Sequence, residues 1–175
     1  MWKVEVIPDN GNVFRRVPTT PSHTIKTEGR RCPNESHFIL KEGEEGLSVN
    51  WDKYITLKGN FILQALTYKH NQQVYCEYTG YIIFSFPIKE LRRMEGIKDV
   101  FHRPVYNGNP ANAGSPNNRS HSEIEYSNNL QARMDLVDYC NSNFDTSFCD
   151  IKVAEIKDEI EQLRKRLNDT PYHKL

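Results

Sequence analysis

Residues 81–86, Tyr-Ile-Ile-Phe-Ser-Phe, decide the fold, because they form the longest apolar stretch of the chain. That stretch is the length of a strand. Its continuous apolar character predicts a strand buried on both faces rather than one with a wet side. Pro87 follows, and it opens a short helix over IKELRRM, at the position where a missing N–H costs nothing. Working outward, residues 97–105 read as the next strand and 129–139 as a short helix. Upstream, LSVNW (47–51) alternates as a strand, and HFILK (37–41) reads as another. Between them and the central strand, Ile62, Leu63, Ala65 and Leu66 recur at helical spacing, with Asp52 as the expected cap. Residues 2–7 and 13–17 flank the turn chemistry of Pro-Asp-Asn-Gly-Asn (8–12) and predict a β-hairpin. Residues 18–36, rich in Pro, Thr, Ser and Gly, read as a loop. A strand covered on both faces needs a layer on each side. The expectation is an α+β domain with a mixed or antiparallel sheet of about five to seven strands and three flanking helices.

The clearest helix is the last one. Val153, Ile156, Ile160, Leu163 and Leu167 recur at spacings of three, four, three and four, a heptad seam. Asp150, Glu155, Asp158 and Glu159 lead it, while Arg164, Lys165 and Arg166 close it, which matches the helix dipole. The organisation expected is an α+β domain over 1–140, a linker-like segment over 141–150 and an amphipathic helix over 151–168. That helix either packs on its own domain or docks a protein partner or a second copy of the chain.

Composition narrows the function classes. Among 175 residues, Lys+Arg and Asp+Glu both number 23, so no global field draws the chain to nucleic acid or to an anionic membrane. Nucleic acid remains open through a local patch, since Arg15, Arg16, Lys26, Arg30 and Arg31 make the start of the chain basic. No apolar run is long enough to cross a bilayer. Cys32, Cys76, Cys140 and Cys149 are widely spread with no CxxC pair, which points to free thiols in a reducing cytoplasm. No Walker A loop, GxGxxG, GxSxG or HExxH occurs.

The chemistry-bearing side chains gather in residues 99–126. There a strand runs into an Asn/Gly/Pro/Ser loop and returns through His121, Glu123 and Glu125. His121 and Glu123 lie about 7 Å apart on one face of a strand, close enough to share a cation. Without a recognised ligand spacing, no metal is expected. His102 and His121, with Arg103 and Arg119 beside them, instead suit general acid–base work on a phosphodiester, the logic of a metal-independent ribonuclease.

A third pattern extends further along the chain. Arg15 or Arg16 stands in FRRV, Ser48 in LSV, and the loop at 106–122 leads into Glu123-Ile124-Glu125. This order resembles the ADP-ribosyltransferases of the R-S-E type. The resemblance implies that Arg15 or Arg16 clamps the phosphates of NAD and that Ser48 braces the site. It also implies that Glu125 holds the nicotinamide ribose and polarises the developing cation, while Glu123 prepares the acceptor. The function classes are therefore an enzyme of bacterial-conflict type (a toxin or defence protein) acting on NAD or RNA, and a non-catalytic subunit that docks through its last helix.

Overall fold

The computed structural model describes residues 2–69, 74–77, 79–105, 117–149 and 155–169. The architecture is α+β. In chain order the elements are β1 (Asn12–Pro18), β2 (Thr24–Thr27), β3 (Arg30–Pro33), a 3₁₀ turn (Glu35–Phe38), β4 (Gly46–Trp51), α1 (Leu57–Ala65), β5 (Tyr68–Lys69) and β6 (Val74–Tyr75). They continue with β7 (Tyr81–Pro87), α2 (Ile88–Leu91), β8 (Ile97–His102), β9 (His121–Tyr126), α3 (Leu130–Ser142), α4 (Phe144–Ser147), β10 (Phe148–Cys149) and α5 (Lys157–Asp169).

Six strands form one antiparallel sheet in the order β10-β7-β1-β4-β9-β8. The YIIFSF stretch is β7, and it lies inside the sheet as its apolar character requires. On one face, Val13, Val17, Leu47, Val49, Phe84, Phe86 and Ile124 pack beneath Phe38, Leu40 and the Ala132, Leu136 and Cys140 side of α3. On the other face, Ile83 and Phe14 meet Phe61 and Ala65 of α1 together with Ile156 and Ile160 at and before the start of α5. Burying both faces removes apolar area from water at about 25 cal/mol per Å², which is the main term holding the layers together.

Several expectations are corrected. Residues 13–17 are not one arm of a hairpin with 2–7. Strand β1 pairs with β7 along its whole length and with β4 at Val13 and Phe14, so next to the turn, where a hairpin with 2–7 would begin, both edges are taken. The turn itself forms (Gly11 N–H to the Pro8 carbonyl, 3.1 Å). The chain before it runs past β8, tied by Glu5 N–H to His102 Nδ1 (3.1 Å) and by Arg92 Nη2 to the Ile7 carbonyl (3.0 Å). Residues 18–36 are not all loop: β2 and β3 close through Glu28 (φ 51°) and Gly29 (φ 81°), the paired positive φ of a tight hairpin turn.

The HFILK stretch forms a 3₁₀ turn and an extended exit instead of a strand. The Asn128 side chain takes the place of a neighbouring strand, accepting from Leu40 N–H and donating to the Leu40 carbonyl, both at 3.3 Å. Helix α1 is capped by Thr56, whose Oγ1 accepts from Gly59 N–H at 3.1 Å, while Asp52 accepts from Asn12 Nδ2 instead.

Residues 141–149, expected as a linker, hold the end of α3, the turn α4 and the edge strand β10 on β7. The last helix does not project. Ile156 and Ile160 are 1 % and 0 % exposed, and Arg164 donates to the Ala65 carbonyl (2.8 and 3.0 Å) and to the Cys76 carbonyl (3.1 Å). It thereby satisfies an orphan carbonyl at the end of α1. The part of the seam proposed for docking at Ile156 and Ile160 is thus spent on the chain's own core. Val153 and the Leu167 side chain lie outside the described residues, as does residue 150 of the segment.

Candidate functional site

A strand pair that opens midway leaves backbone groups without ladder partners, and the sheet has such a pair at its centre. Strands β1 and β4 pair only at Val13–Trp51 and Phe14–Asn50, then part. Beyond that point Arg15 reaches across the gap: its Nη1 donates to the Ser48 carbonyl at 2.7 Å, and its Nε donates to His37 Nε2 at 3.0 Å. A cleft of about 660 Å³ occupies the split, lined by Arg15 and Arg16 of β1, Ser48 and Asn50 of β4, His23, His37, Lys41, Glu44, Asn118 and His121.

Because Arg15 and Arg16 are adjacent in one strand, their side chains leave opposite faces of the sheet. Both nevertheless line the cleft, since it passes through the split. Among the described residues neither guanidinium pairs with a carboxylate. Burial lowers the Arg15 pKa to about 10, with the neighbouring Arg16 charge adding to it, and burial likewise lowers that of Arg16. Arg16 Nη1 is buried without a hydrogen-bond partner among the described residues.

His37 carries the next unmet donor. The ring is 6 % exposed, and burial, then the Arg15 charge, then His23, push its pKa down to about 2. It is neutral, and since Nε2 accepts from Arg15, the proton sits on Nδ1. That Nδ1 is buried and has no partner among the described residues, and neither has Nδ1 of His23, whose ring meets His37 edge-on at 5.4 Å. A buried donor left unsatisfied costs about 1–3 kcal/mol, and Arg16 Nη1 and His37 Nδ1 are two such donors on residues that line the cleft.

Across the split, His121 lies at the start of β9. Its Nδ1 is 2.7 Å from the Arg103 carbonyl, and its Nε2 is 3.3 Å from Ser48 Oγ. Burial lowers its pKa, outweighing the Arg103 carbonyl and Glu123, which raise it. A buried amide network braces this wall. Asn50 Nδ2 donates to Asn60 Oδ1 (2.8 Å), while Asn118 Nδ2 and Ser120 Oγ donate to Asn50 Oδ1 (2.8 and 3.1 Å). The network ties β4 to α1 and to the return of the long loop.

The structure thus brings Arg15, Arg16, Ser48 and His121 to one cleft. Glu123 and Glu125 share the strand face of His121 but are not among the residues lining it. Glu123 is the cross-strand partner of Ser48, and Glu125 is that of Gly46, two pairs further on. Arg103 bridges the two carboxylates, with Nη1 2.7 Å from Glu123 Oε2 and Nη2 3.5 Å from Glu125 Oε2; Lys98 Nζ adds a contact of 3.4 Å to Glu125 Oε1. A Cβ at position 46 would stand 2.9 Å from the Cβ of Glu123, so glycine there makes room for this row.

His102 is not part of the site. It projects from the opposite face to His121, 1 % exposed, stacked on Tyr54 with its Nδ1 accepting from Glu5 and its Nε2 on the Arg119 carbonyl. The acid–base pair of His102 with His121 therefore does not assemble, because the pleat sends the two rings to opposite sides of the sheet. Residues 106–116 of the loop lie outside the described residues. Among the described residues, no group of three His, Cys, Asp or Glu gathers as a metal site, and no helix is long and apolar enough to cross a membrane.

Comparison of the chain with protein-family models, with curated proteins and with solved structures finds no match. The site is therefore read from its own geometry. Sequence reasoning missed His37, His23, Asn50 and Asn118. The Arg-Arg pair was the signal it had; the histidines lie in a stretch read as loop and strand, where nothing in the spacing aims them at β1.

Proposed function

We propose that the cleft binds the phosphate groups of a nucleotide-sized ligand, with NAD as the candidate and ADP-ribose transfer as the reaction. One observation carries the binding reading. Two arginines that pair with no carboxylate among the described residues line a cleft of about 660 Å³, together with His37, whose Nδ1–H is buried without a partner among those residues. Ligand sites of small molecules are about 300–1,000 Å³. Guanidinium is the group that matches phosphate oxygens with paired donors.

The transfer reading adds Glu125. Its carboxylate lies on the same strand face as Ser48 and His121, about 7 Å beyond Glu123 along β9, within the span of a dinucleotide lying in the cleft. To act on a ribose it must exchange Arg103 and Lys98 for the sugar hydroxyls and the developing oxocarbenium charge. The setting proposed is the reducing cytoplasm, supported by the free thiols of Cys32, Cys76 and Cys140.

Calorimetric titration separates the two layers. NAD, ADP-ribose and AMP are expected to bind, and Arg16→Met is expected to weaken them at least about tenfold, the worth of a charge-assisted hydrogen bond. Equal affinity in wild type and variant would remove the cleft from consideration. Release of nicotinamide from NAD, followed by chromatography, is expected to vanish in Glu125→Gln while ADP-ribose still binds. Unchanged release in that variant would leave binding without ADP-ribose transfer at Glu125.

A further inference from the structure

We infer that Ser48 and His121 form a nucleophile–base pair, and that Ser48 attacks phosphorus of the phosphate ester or anhydride held in the cleft. The inference rests on the reading of the cleft as a nucleotide-phosphate site. It is independent of any role for Glu125.

The geometry fixes the direction of proton movement. The Arg103 carbonyl can only accept, so the 2.7 Å contact places the His121 proton on Nδ1. Nε2 then carries the lone pair, and the Ser48 hydroxyl at 3.3 Å is its donor. A nucleophilic serine requires this arrangement: a neutral imidazole in contact with the hydroxyl, oriented from behind by an acceptor. The two residues occupy diagonal cross-strand positions, since His121 pairs with Asn50 and Ser48 lies two residues on. Ser48 is the exposed position of an otherwise buried strand, and it opens on the cleft.

A hydroxyl serving only the fold would not need a basic partner. Burial keeps His121 unprotonated near neutrality, which is the state a base must have. Arg16, which lines the cleft and pairs with no carboxylate among the described residues, supplies charge for the non-bridging phosphate oxygens.

In the step, the Ser48 O–H bond breaks and its proton passes to His121 Nε2 as the Oγ–P bond forms. The bond from phosphorus to the leaving oxygen breaks with its electron pair, and that oxygen takes the proton from Nε2. Water then gives a proton to Nε2 as its oxygen bonds to phosphorus, the Oγ–P bond breaks with its electron pair on Oγ, and Oγ takes the proton from Nε2, which releases the phosphate product and restores the enzyme. No oxidation state changes.

The test is labelling of the full chain with diisopropyl fluorophosphate, in which fluoride is the leaving group. Intact mass and peptide mapping are expected to show one adduct on Ser48, absent in Ser48→Ala and formed about 100-fold more slowly in His121→Ala. The wild-type rate is expected to climb with pH through a midpoint below 6.5, the ordinary histidine value from which burial lowers His121. The charged groups around that ring are Glu123 on its own strand, Arg103 and His102 from the β8 side, and Arg15, Arg16, Lys41 and Glu44 around the cleft. The pH profile needs no variant, so it decides the matter even where His121→Ala fails to fold.

No adduct on Ser48, or a rate flat between pH 5 and 8, overturns the pair. Protection of Ser48 by ADP, lost in Arg16→Met, reports separately on the cleft. Labelling without protection leaves the pair standing and removes the nucleotide reading. Nucleotide binding without labelling does the reverse.

Discussion

At the scale of single residues, His37 shows how burial beside a cation sets a site's charge. Unfolded, its ring titrates near 6.5; folded, burial and Arg15 hold it at about 2. Between those values the unfolded chain binds a proton that the folded chain refuses, so stability falls as pH falls. From pH 7 to pH 5 that loss is about 2 kcal/mol. Denaturant titrations at both pH values are expected to show it in wild type and to show it reduced by about that amount in His37→Gln. His121, also lowered, contributes with the same sign in both proteins and cancels in the difference. An equal pH dependence in the two would mean that His37 is already wet. Glu5, held down to about 2 chiefly by Lys53, then Tyr54, begins to protonate in the unfolded chain near pH 5, adds a loss of the same sign in both proteins and likewise cancels in the difference.

At the scale of elements, the parting of β1 from β4 is the device that makes a site out of a sheet. A fully paired β1 would bury the Ser48 carbonyl in a ladder bond. The split hands that carbonyl to Arg15 and opens the space between the strands. The same logic of claimed surfaces governs α5. Its apolar residues were free in principle to serve a partner, but Ile160 is fully buried against α1 and β7. Ile160→Ala is expected to lower stability by about 3 kcal/mol, read as a shifted urea midpoint with an unchanged slope. A loss under about 1 kcal/mol would show that the helix contributes little to the core.

At the scale of the whole molecule, a sheet covered on both faces near β7 is, among the described residues, only half-buried on the His121, Glu123 and Glu125 face of β9, and chemistry collects at that border. The strands β4, β7 and β8 and the helices α3 and α5 were legible in the sequence, β4 by its alternation, β7 by its unbroken apolar run and α5 by its heptad seam. Residues 2–7 and 37–41 were misread because their patterns are local while edge availability is not. One finds β7 along β1 and β4 on its other edge beside the turn, and the other pairs with an asparagine side chain. The candidate residues were legible in part. Arg15, Arg16, Ser48 and His121 meet, while His102 falls on the far face. The acidic pair could not be singled out by spacing, since Glu-x-Glu also occurs at Glu42/Glu44 and Glu159/Glu161.

What the sequence determined by itself was the class of the fold and the identity of its buried strands, because apolar periodicity follows from the chain's own geometry. What only the tertiary structure decided was which polar side chains share a space. Sequence order brings Arg15, His37, Ser48 and His121 no nearer than their separations allow. The parted strands and the 3₁₀ turn bring them together, and burial leaves Arg16 Nη1 and His37 Nδ1 without the water that would otherwise satisfy them.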